Sequence, residues 1–168
     1  MSQLSLAFDS CLLVRDDQGR YLPASAEQIL AAARQVIDCK VQRGVTFTNP
    51  DLVKEYLGAK LAGFEHEVFA VLFLDNQHRL IEYVEMFRGT IDSASVYPRE
   101  VVKEALRLNA AALILAHNHP SGSPEPSEAD KGLTRRLKEA LGLVDVRTLD
   151  HVIVAGTKTV SFAEHGLI

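Results

Sequence analysis

Seven consecutive apolar residues, Val68-Phe69-Ala70-Val71-Leu72-Phe73-Leu74, stand out along the chain and are closed by Asp75-Asn76. Rich in branched and aromatic side chains and short, this run predicts a strand buried on both faces. Asp75-Asn76-Gln77-His78 reads as a turn, and Leu80 to Phe87 as the returning partner strand. Pro98 opens a helix with Val101, Val102, Ala105 and Leu106 on one side, ending near Asn109. Ala111 to Ala116 is a second buried strand, and His117 to Pro126 a loop of two His, three Pro and a Gly that continues neither element. Ser127 starts a helix with the apolar stripe Leu133, Leu137, Ala140 and Leu141, and Val144 to Val154 and Thr159 to Phe162 close the chain as strands. No internal repeat is evident.

The front of the chain is patterned differently. Two short extended segments, 12–14 and 20–22, flank the turn formers Asp16-Asp17-Gln18-Gly19. Ser25 and Gln28 form a capping box for a helix over about 25–42, with Ile29, Leu30, Ala33, Val36 and Ile37 at helical spacing. Arg34, Lys40 and Arg43 give that helix a mildly basic, solvated side. Gly44 ends it, and Asn49-Pro50 caps the next, through Leu52, Val53, Tyr56 and Leu57. The expected organisation is an appendage over 1–45 and a main domain over 46–168. The fold class is α/β of the α+β type, without a regular βαβ repeat.

At 168 residues, 47% hydrophobic and 24% charged, the chain is sized for one domain with a proper core. Lys and Arg total 18 against 22 Asp and Glu, and this net charge of −4 offers no global attraction to nucleic acid or anionic lipid. No apolar run approaches the ~18 residues of a membrane span, and MSQLSLAFDS lacks the charged start of a signal peptide. Cys11 and Cys39 make no disulfide framework and no CxxC motif. A cytoplasmic protein without a membrane partner is expected.

The chemistry concentrates in Ala116-His117-Asn118-His119-Pro120-Ser121-Gly122, followed by Ser127 and Asp130. Side chains one residue apart on an extended segment point the same way, so His117 and His119 can chelate one ion, and Asp130 in the first turn of the next helix can fold back as a third ligand. Six His give roughly 0.2 chance occurrences of His-x-His in such a chain, and Ser127 with Asp130 taken alone is an acceptable capping box. Ser121 and Ser123 lie in no Gly-x-Ser-x-Gly elbow, which sets a serine hydrolase aside.

His117-x-His119-Pro120, with Ser127 eight and Asp130 eleven residues after His119, resembles the zinc signature of the JAMM (MPN/JAB) metallopeptidases. The wording of the bacterial RadC branch is seen in Val71-Leu72-Phe73-Leu74-Asp75, Gly89-Thr90-Ile91-Asp92, Pro98-Arg99-Glu100-Val101, Leu149-Asp150-His151 and Ser161-Phe162-Ala163-Glu164, over about 46–168. The resemblance implies an MPN/JAB fold, with a mixed central sheet flanked by helices. It also implies one Zn²⁺ per chain on His117, His119 and Asp130, and hydrolysis of an amide in a peptide or protein substrate. It further implies a glutamate acting on the activated water, and Ser127 as donor to the oxyanion. Glu67, directly before the apolar strand, matches the glutamate position better than Glu65 does. His151 reads either as a support for a ligand or as a satisfied core histidine. Longer RadC proteins carry a helix-hairpin-helix module where this chain has its hairpin and helix, a segment suited to a partner or homodimer contact. The competing reading is a DNA-repair accessory or nucleic-acid-processing protein whose metal site is structural or that of a nuclease.

Overall fold

The computed structural model describes residues 12–40, 44–47, 49–89 and 95–168. Cys11, the side chains of Cys39 and Lys40, Arg43, the expected helix end at 41–42 and the Thr90-Ile91-Asp92 stretch lie outside the described residues. Strands β1 (Leu13–Arg15) and β2 (Tyr21–Pro23) form a separate hairpin. Helices α1 (Ala26–Lys40) and α2 (Pro50–Leu61) follow, then β3 (Val68–Leu74), β4 (Leu80–Arg88), α3 (Pro98–Arg107), β5 (Ala112–Asn118), α4 (Glu128–Gly142), β6 (Arg147–Ala155) and β7 (Lys158–Ser161).

The central sheet is mixed, in the order β4-β3-β5-β6-β7. Its one parallel pair is β5 with β6, joined by the α4 crossover, and the other neighbours are antiparallel. Strand alternation divides the core into two layers. Even positions, such as Leu72, Ile114, Ala116 and Val152, pack with Leu57 and Leu61 of α2, and odd positions, such as Phe69, Val71, Leu113 and Leu115, pack with Val101, Ala105, Leu137 and Leu141 of α3 and α4. All seven residues of β3 are buried, as its unbroken apolar run requires.

Several expected boundaries shift. The strand expected over Ala111 to Ala116 runs on to Asn118, because His117 pairs with Phe69 on one side and Ile153 on the other. The strand expected from Val144 starts at Arg147, since Asp145 is in the left-handed region and the amide of Val146 turns back to the Leu141 carbonyl. Leu106 and Val36, expected on apolar faces, are exposed. Arg34 does not face solvent: its guanidinium lies 4.5 Å above the Phe64 ring and donates to the Ala62 carbonyl at 2.6 Å. Residues 44–47, spanning the expected end of the appendage, hydrogen-bond to His78 and Leu80 at the start of β4.

Candidate metal centre

His117 and His119 project from the end of β5 on its odd face, toward the N-terminus of α4. Asn118 between them points to the other face. Its Oδ1 accepts from the Val68 amide at 2.7 Å and its Nδ2 donates to the His66 carbonyl at 3.0 Å, which ties the start of β3 to the end of β5. Asp130 is the third residue of α4, and its Oδ2 accepts from the amide and hydroxyl of the cap residue Ser127, at 2.8 and 2.6 Å. The capping box is therefore real, and it also aims the free edge of the carboxylate at the two imidazoles.

The ligand atoms of His117, His119 and Asp130 lie within 4.8 Å of one another. Proton positions follow from the network around them. Thr134 Oγ1 donates to the Asp130 carbonyl at 2.7 Å, so toward His151 Nδ1, 2.6 Å away, it accepts. Burial pushes the pKa of His151 well below its ordinary value and the neighbouring His117 adds to this, so the ring is neutral and its Nε2 accepts from His117 Nδ1 at 2.8 Å. His119 Nδ1 donates to the Ser123 carbonyl at 2.8 Å. Both histidines thus turn an Nε2 lone pair inward, 2.9 Å apart, with the Asp130 oxygens 3.3 and 3.6 Å away. Two lone pairs and a carboxylate at that range could hold a cation between them, and this donor set suits zinc.

Electrostatics agree. Burial works against charge on Asp130, yet the facing His117 and His119 rings and the hydrogen bond from Ser127 outweigh it and hold the carboxyl well below the usual range. Asp130 in turn raises the pKa of His119. Glu67 stands two residues before Phe69, the partner of His117 in the β3–β5 ladder, and near enough to His119 for its charge to raise that ring's pKa. Glu67 lines one cleft of about 660 Å³ with His119, Ser127 and Asp130, whereas Glu65 is exposed and outside that lining. His151 resolves as the support of His117. Thr134 and Asn118 were not anticipated. Thr134 sits one helical turn after Asp130 within an otherwise apolar stripe, and that spacing was the signal available.

The sequence profile of the RadC-like JAB domain matches residues 47–167. A UPF0758 protein of Vibrio cholerae is 62% identical over 143 residues, 85% of this chain and 90% of that relative. One from Methylibium petroleiphilum is 59% identical over 145 residues, 86% of this chain and 65% of its own length. One from Shewanella baltica is 56% identical over 149 residues, 87% of this chain and 66% of the relative. The chain thus spans nine-tenths of the first relative and about two-thirds of the other two.

Proposed function

The chain belongs to the RadC-like JAB domain family, and on that premise we propose that it is a cytoplasmic zinc-dependent hydrolase of amide bonds, a metallopeptidase or isopeptidase. The observation that carries this reading is the convergence of two inward-facing Nε2 lone pairs and a carboxylate beside Glu67 in a single cleft. Zinc on His117, His119 and Asp130 would supply a Lewis acid that lowers the pKa of a water from 15.7 to about 7, with three protein ligands leaving a position open.

The chain's own groups do the rest. Glu67 takes the proton of the attacking water and passes it to the leaving amine, which requires a carboxylate within hydrogen-bond reach and no contact with the ion. Ser127 spends its hydroxyl hydrogen on Asp130 Oδ2. Turned toward the cleft it donates to the developing oxyanion, a contribution of the ~3 to 4 kcal/mol class, while its amide keeps hold of Asp130. The Ser123 carbonyl fixes the ring of His119.

The nucleic-acid reading has less support. Glu67 and Glu125 line the same cleft and the net charge is −4, so a phosphodiester backbone meets repulsion there. The test pairs zinc stoichiometry with turnover on a peptide and isopeptide library. Glu67→Gln retains the metal and loses about 10²- to 10⁴-fold in rate, and Glu65→Gln behaves as the parent. Loss of zinc from Glu67→Gln makes that residue a ligand or a support. Loss of turnover in Glu65→Gln alone shifts the general base by two residues.

A further inference from the structure

The cleft continues past the metal ligands along α4. Ala129, Leu133 and Arg136, at successive turns of one face of that helix, line it together with Tyr97 at the N-cap of α3. Arg136 differs from the other cations of α4 in the hollow it borders. Lys131 pairs with Glu128 at 2.7 Å, and Lys131, Arg135 and Lys138 line a separate hollow against Leu167. Among the described residues Arg136 has neither an ion-pair nor a hydrogen-bond partner, and it borders the cleft that holds Glu67, His119 and Asp130. Tyr97 is 58% exposed there, braced from behind by the Phe87 ring at 6.1 Å. An unspent guanidinium beside a braced aromatic and the Leu133 side chain forms a subsite for a carboxylate on an otherwise apolar stem.

We propose that Arg136 is a specificity residue of the cleft and recognises a carboxylate of an extended peptide substrate. This rests on the amide-hydrolase reading and narrows its substrate class. Six residues of α4 separate Arg136 from Asp130, a rise of about 9 Å. An extended peptide covers that in about three residues, so the carboxylate lies two to three residues from the bond that is cut. It comes from either a C-terminus or an acidic side chain. The acidic residues in the rest of the cleft favour one such group at one spacing over a polyanion.

The test measures retention and cleavage separately. The zinc-loaded full chain is equilibrated with a positional library of N-acetylated octapeptides made as C-terminal acids and as amides, each position carrying Glu, Gln or Lys in turn, and bound peptides are quantified by mass. The parent retains carboxylate peptides of one spacing roughly 10- to 100-fold better than their amide counterparts, the range of a charge-assisted hydrogen bond. Amidation of the C-terminus removes that preference if the terminus is read, and Glu-to-Gln exchange removes it if a side chain is. Arg136→Ala, which keeps a good helix former at an exposed position, loses the preference, and Arg136→Glu turns it toward Lys. Retention without carboxylate preference, no retention at all, or an unchanged preference in Arg136→Ala overturns the proposal. Cleavage without that preference sinks the subsite and leaves the hydrolase reading standing, and preference without cleavage does the reverse.

Discussion

Thr134 has one hydroxyl hydrogen and gives it to the Asp130 carbonyl, which makes it the acceptor that fixes His151 and, through it, the Nδ1 proton of His117. Thr134→Val keeps the shape and removes that acceptor, leaving a buried N–H without a partner at a cost of about 1 to 3 kcal/mol. Zinc affinity should fall about 10- to 100-fold, as for other lost supports of a ligand. Chelator competition beside thermal unfolding checks this, and unchanged affinity would contradict the assignment. His119→Ala should leave a folded domain without zinc, because the core is carried by the strands and helices, and full occupancy on elemental analysis would refute the ligand set. At this scale His117, His119 and Asp130 were legible because metal ligation demands a spacing. Thr134 and Asn118 were not, since Thr134 acts on the His151 side chain and Asn118 on backbone groups at the start of β3, partners that only the fold brings near.

The two hairpins share one loop design. Asp16 and Asp75 each accept from the amides two and four residues on, and each binds the guanidinium of the Arg four residues on, Arg20 and Arg79. The left-handed position falls on Gly19 in one loop and His78 in the other. The Arg79 amide above all, then the Arg79 side chain and the Gln77 amide, holds the Asp75 pKa below its ordinary value of 3.8. With the native value the lower one, the unfolded chain takes up the proton first. The loop's contribution is therefore complete above about pH 4 and lost as pH falls through the native value. Asp75→Asn should lower the urea midpoint at about pH 6, and the gap to the parent should narrow as pH falls below the ordinary value of 3.8. A gap that stays constant over that fall would refute it. Turn chemistry made both hairpins legible, whereas the end of β5 depended on pairing with distant strands and the start of β6 on the left-handed Asp145 after α4.

Taken whole, the molecule seats its N-terminal helix on the layer opposite the metal centre. Ile37 packs against that layer, Asp38 pairs with Lys60 at 3.0 Å, and Arg34 covers Phe64. A chain begun near Arg43 should therefore keep one zinc while losing about 2 to 5 kcal/mol of stability with the Ile37 packing and the Leu30 side chain that lies over Gly63; urea unfolding and metal analysis read the two separately, and loss of zinc with the fold intact would show that the front segment reaches the site. The mixed sheet and its flanking helices were legible from hydrophobic runs, but the inward turn of Arg34 was not, because an arginine's stem and charge satisfy either environment. The alternation of β5 bears on how such a protein can change over generations. One residue inserted in the strand before His117 would carry both imidazoles into the layer under α2 and bring Asn118 round to Asp130, so chemistry and clamp would exchange sides in a single event. A change of length in the strand that feeds the site is accordingly forbidden.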